Sequence, residues 1–149
     1  MSTSQLTPDE AVNILSDKLQ LSAVRRTILT YEHQELMERA TRSENRREAY
    51  YTKDSLAEFY ASWKLLHGDY ITMLPGFTVI DKMRLTPKFV AYVRYFALNV
   101  EIIGDEDLVT KVSLAEDLKY SLDEMNVYLV RGYARIWSYY KKTALSALE

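Results

Sequence analysis

The chain has 149 residues, 48% hydrophobic and 27% charged, with a formal net charge of −2 and no cysteine. Those values suit one ordinary globular domain with a real core. They exclude disulfides and thiolate chemistry, and a charge so near zero selects no partner by itself. Four Gly and three Pro are too few for a turn-rich all-β fold. The expected class is therefore all-α: a single-domain helical bundle of five or six helices over residues 1–149. Met1 to Gln5 show neither a basic n-region nor an apolar h-region. The longest apolar run, Phe89 to Ile103, is broken by Arg94 and Glu101. The expected location is the cytoplasm or an assembled particle, with no membrane contact.

Thr7-Pro8-Asp9-Glu10 predicts the first helix, because Thr7 can cap it, Pro8 suits its first position and Glu10 completes a capping box. Val12, Leu15 and Leu19 mark its apolar face. Ser22 is the expected cap of a second helix whose apolar positions are Val24, Ile28, Leu29, Leu36, Met37 and Ala40. From Thr41 to Ala49 the chain is almost wholly polar, which reads as a solvated helix or as a break near Ser43. Asp54 or Ser55 is expected to cap a third helix, with Leu56, Phe59, Tyr60, Trp63 and Leu66 on one face and Gly68 as its stop. Residues 69–86 read as a long irregular loop, unusually apolar. Thr86-Pro87 then opens a helix apolar on nearly every side and therefore central. A short helix is expected over Asp105–Val112.

Ser113-Leu-Ala-Glu116 is a second capping box, and the apolar spacing of Leu118, Leu122, Met125, Leu129, Tyr133, Ile136 and Tyr140 carries a helix to about residue 148. Unbroken, it would be roughly 50 Å long, against a radius of gyration of about 15 Å for a compact chain of this size. Such a helix must bend, run along an elongated bundle or reach a partner. It is also polarised. Glu101 to Glu124 holds eight acids and two bases, whereas Met125 to Glu149 holds four bases and one acid. The helix dipole favours that order. So does antiparallel pairing of two copies, since a two-fold interface must be self-complementary.

Chemistry-bearing motifs are scarce. His33 and His67 lie in no metal-ligand spacing. His33 reads as a surface residue, and His67 as a partner of the last carbonyls of its helix. Asp54 and Glu58, one turn apart, read as a solvated face. The four glycines, at 68, 76, 104 and 132, form no phosphate loop. No catalytic residue, cofactor or metal is assigned.

The primary expectation is a non-enzymatic assembly or interaction protein, a subunit that oligomerises or docks into a larger complex or particle. Its protein partner would be a second copy or another component, met through Met73, Leu74 and Phe77 of the apolar loop and Tyr128, Trp137 and Tyr139 of the final helix. One alternative is nucleic-acid binding, through Arg39, Arg42, Arg46 and Arg47 or through Arg131, Arg135, Lys141 and Lys142 interleaved with aromatic rings. Another is a small enzyme on a helical scaffold, which needs a pocket where His33 or His67 meets a carboxylate.

Overall fold

A computed structural model describes residues 5–42, 48–67, 85–103 and 127–149, except for the side chains of 100–103, 127–129 and 131. These segments are mostly helical. In chain order they form α1 (Pro8–Asp17), α2 (Arg25–His33), β1 (Thr41–Arg42), β2 (Ala49–Tyr50), α3 (Lys53–Leu66), α4 (Pro87–Ile103) and α5 (Val127–Leu148). The loop expected at 69–86 falls almost wholly outside the described residues. So do the short helix at 105–112 and the final helix before Val127.

Local chemistry sets the helix starts. Thr7 accepts the Glu10 N–H while the Glu10 carboxylate accepts the Thr7 N–H, closing the expected capping box on α1. Thr86 Oγ1 accepts the Phe89 N–H at 3.1 Å ahead of Pro87. α3 is capped two or three residues earlier than expected. Its N-cap is Thr52, in a reciprocal box with Ser55, rather than Asp54 or Ser55.

The second helix differs most from its expectation. Ser22 does not cap it; Val24 is the N-cap and offers no side-chain hydrogen bond. The helix ends at His33 rather than continuing through Leu36 and Met37. Glu35 takes φ 60°, the Leu36 N–H returns to the Tyr31 carbonyl at 2.9 Å, and the Glu35 N–H reaches Glu32 at 3.1 Å. This is a Schellman stop with glutamate at the position glycine usually fills. Leu36 and Met37 are buried all the same, because the turn drops them into the core. Glu35→Gly relieves the left-handed strain and should raise stability by about 1 kcal/mol, read as an upward shift of the urea midpoint.

The polar stretch is neither helix nor simple break where it is described. β1 and β2 pair antiparallel, Thr41 with Tyr50 and Arg42 with Ala49. Leu6 joins them by exchanging two backbone hydrogen bonds with Tyr51, at 2.8 and 2.7 Å. This small ribbon ties the N-terminal segment to the start of α3.

The core centres on α3, α4 and α5, with α5 packed along both of the others. α4 buries Val90, Ala91, Tyr92, Val93, Phe96 and Ala97, as expected of a central helix. α3 is buried almost all round, since small Ser55, Ala57, Ala61 and Ser62 let its neighbours approach. Tyr31 packs its ring 4.3 Å from Phe59, and Tyr133 sits edge-on to Phe89 at 5.7 Å. No helix among the described residues is long and apolar enough to cross a membrane.

Candidate functional site

The inward face of α5 is fixed by packing. Val130, Tyr133, Ala134, Ile136, Trp137, Tyr140, Ala144 and Leu148 are buried, at the three- and four-residue spacing of one helix face. Trp137 is 1% exposed and donates its indole N–H to Ser62 Oγ at 3.0 Å. Ser62 in turn donates to the Leu36 carbonyl at 2.6 Å. A three-member chain of hydrogen bonds thus joins the turn after α2, α3 and α5. Expected on an outer face of its helix, Trp137 is instead a core residue, because its indole N–H has a buried acceptor waiting on α3.

The outward face holds a concave surface that carries charge. A groove of about 510 Å³ lies beside α5, lined by Ala97 and Leu98 of α4 and by Arg135, Trp137, Ser138, Tyr139, Lys141, Lys142 and Leu145 of α5. Arg135 and Lys142 are exposed, and Tyr139 shows 39% of its surface. Apolar stems and two exposed cations along one helix stripe suit an acidic or phosphate-bearing surface. Lys141 behaves differently. Its Nζ lies 3.4 Å from Glu58 and 5.8 Å from the Trp137 ring centroid, so its charge is committed within the fold.

Glu58 is a residue that the sequence reading placed on a solvated face. It is 5% exposed, while Asp54 remains in water. Arg94 Nε donates to one Glu58 oxygen at 2.7 Å and Lys141 to the other at 3.4 Å. Arg94 also reaches the Glu35 carbonyl at 3.3 Å. Glu32 was not singled out at all, yet it too is buried, at 3%. It accepts from the Ala40 N–H at 3.0 Å, the Tyr51 hydroxyl at 2.6 Å and the Arg42 guanidinium at 3.4 Å. Each carboxylate is a peg between elements, since a buried charge persists only where it is paired and hydrogen-bonded.

The remaining expected site residues are dispersed. Arg39 and Arg42 are exposed, and Arg42 is held by Glu32. Arg46 and Arg47 lie outside the described residues, as do Met73, Leu74 and Phe77. Tyr128 and Arg131 fall in α5, with side chains outside the described set. The two histidines are both exposed. His67 stacks on Trp63 at 4.2 Å and its Nδ1 lies 2.8 Å from the Trp63 carbonyl, the helix-end role expected of it. Among the described residues no group of three His, Asp or Glu side chains could hold a metal ion.

Burial raises tyrosine pKa values. Tyr31 moves from 10.0 to about 12 by desolvation, and Tyr92 likewise to about 12 with a smaller push from Tyr95. Tyr51 is raised by burial first, then by its hydrogen bond to Glu32 and that carboxylate's charge, with Arg42 and Arg25 opposing. Groups raised in the fold favour the folded state fully below their unfolded pKa of about 10, and the contribution is lost as pH rises towards about 12. Stability should therefore fall between pH 10 and 12. Tyr31→Phe should flatten that fall by up to about 1.4 kcal/mol per pH unit, measured as urea midpoints at pH 9 and 11.5.

No protein-family model matches the chain, and among curated proteins and solved structures none is similar to it.

Proposed function

We propose that the protein is a non-enzymatic helical assembly subunit that associates with a second copy of itself through the basic outward face of α5. In this reading the whole chain is one bundle of five or six helices, its last helix running from about residue 113 to 148. The observation that carries the reading is the groove beside α5, where Arg135 and Lys142 stand in solvent over apolar stems. Charge complementarity supports a like partner. Residues 101–124 carry eight acids against two bases, and residues 125–149 four bases against one acid. A two-fold pairing would bring each basic half to the other copy's acidic half.

Light scattering coupled to size-exclusion chromatography tests this. A defined oligomer is expected at low salt, weakening as the Debye length shrinks from about 30 Å at 0.01 M to about 3 Å at 1 M. The double variant Arg135→Glu, Lys142→Glu should be monomeric throughout, and a wild-type monomer at high concentration and low salt would overturn the proposal.

A second reading is favoured by one observation, the exposed Tyr139 ring between those cations. A stackable ring beside basic groups is what a single strand of nucleic acid uses. Fluorescence anisotropy with a labelled single-stranded oligonucleotide separates the two, because strand binding would persist in a monomer and fall steeply with salt.

A further inference from the structure

We propose that the cleft between the start of α2 and the β ribbon is a binding site for a small aliphatic monocarboxylate, held by Arg25 and Arg42. The cleft encloses about 130 Å³ and lies among Pro8, Arg25, Ile28, Leu29, Arg42, Ala49 and Tyr51. Its size is close to that of an engineered cavity of about 150 Å³ that takes up benzene. It therefore suits a molecule of a few carbons, not a nucleotide or a sugar.

The lining has two chemical halves. Ile28, Leu29 and Ala49 give an apolar wall, and Leu29 is among the large hydrophobic side chains left exposed, at 41%. Two guanidinium groups supply the polar half, and such forks match a carboxylate bidentately. Behind them, buried Glu32 accepts from the Tyr51 hydroxyl at 2.6 Å and from the Arg42 guanidinium at 3.4 Å, which holds Arg42 beside the cleft. Both arginines line the same cleft as Tyr51.

Charge decides that the ligand is a monoanion. Each arginine already faces one carboxylate. Glu32 is buried and cannot leave Arg42, but Arg42 retains most of its five donors beyond that single contact. Arg25 meets Asp9 at 3.7 Å, with side chains 64% and 79% exposed, a contact water screens almost fully. One incoming carboxylate can displace Asp9 and bridge the two forks. A doubly charged phosphate would leave an excess negative charge beside buried Glu32. The first turn of α2 adds to the attraction, for it carries Arg25 and no acid at the end where the helix dipole favours anions.

The probe is isovalerate, with isoamyl alcohol as its neutral analogue and sulfate as a compact anion without hydrocarbon. Amide NMR titration of the intact chain is expected to show saturable shifts at residues 25–29, 42 and 49–51. At about seven heavy atoms, an affinity near 1 mM is expected. Isoamyl alcohol and sulfate should each bind at least about tenfold more weakly, since each lacks one half of the recognition. Arg25→Gln and Leu29→Asp, both at exposed positions and thus compatible with folding, should each weaken isovalerate by about tenfold, and Arg135→Gln should change nothing. Absence of saturable shifts up to about 50 mM, equal affinity in Arg25→Gln, or tighter binding of sulfate than of isovalerate would each overturn the proposal. The outcome is independent of whether the chain self-associates.

Discussion

Trp137→Ala is expected to destabilise the protein by about 4 kcal/mol, the largest effect of any single truncation considered. The indole is 1% exposed, on the face of α5 that packs against α3. Its removal deletes the transfer free energy of a large ring and leaves a cavity that three packed helices cannot close. The lost N–H bond to Ser62 adds only a small part. Trp137→Phe separates the terms, since it keeps most of the ring and should cost about 1 kcal/mol from the hydrogen bond together with a smaller packing defect. Tyr139→Ala, two residues on and on the opposite face, should stay within about 0.5 kcal/mol. Urea unfolding followed by far-UV circular dichroism measures all three. Equal losses at 137 and 139 would mean that α5 is rotated from the orientation described.

Glu58→Ala is the second large expectation, a loss of about 3 kcal/mol. Breaking one partner of a buried ion pair costs about 3–5 kcal/mol because the remaining charge stays desolvated. Here the lower end applies, since Arg94 and Lys141 keep 17% and 22% of their side chains in solvent and can partly rehydrate. The triple replacement Glu58→Leu, Arg94→Met, Lys141→Met should cost far less than the sum of its parts, because no charge is then left stranded. Additivity of the three single changes would show that Glu58, Arg94 and Lys141 do not act as one network.

The helix starts at Thr7 and Thr86 were legible because a cap, a proline and the first-turn N–H groups lie within four residues of one another. The buried character of α4 was legible for a similar reason: Val90, Tyr92, Val93 and Phe96 surround its axis whatever packs on them. The stop of α2 was not. Leu36 and Met37 continue the apolar spacing, and Glu35 gives no glycine-like sign of a left-handed turn, so periodicity alone extends the helix past its end. What ends it is tertiary: the Leu36 carbonyl is captured by Ser62, and the Glu35 carbonyl by Arg94.

The candidate sites divide in the same way. That Arg131, Arg135, Lys141 and Lys142 share one helix with aromatic rings was legible in the sequence; which of them face solvent was not. That Trp137 is buried and that Lys141 is drawn to a buried carboxylate depended on Ser62 and Glu58, which are 75 and 83 residues distant in sequence. The sequence Tyr31-Glu32-His33 gives no hint that its glutamate is buried, because the groups that make burial tolerable, Ala40, Arg42 and Tyr51, come from in and beside the ribbon that follows. Glu58 reads as solvated beside its neighbour one turn back, Asp54, which is exposed; what encloses Glu58 are Arg94 and Lys141 from two later helices.

The sequence by itself determined a mainly helical chain, the caps that start α1 and α4, the inward stripe of α5 and the charge polarity of the C-terminal third, since each depends on neighbours a few residues apart. The tertiary structure alone decided which acids are buried, where α2 stops, that Thr41–Arg42 pair with Ala49–Tyr50 as a two-stranded ribbon, and which of the described cations are drawn to buried carboxylates. Those outcomes turn on desolvation, and whether a charge loses its water is set by what packs against it from elsewhere in the chain.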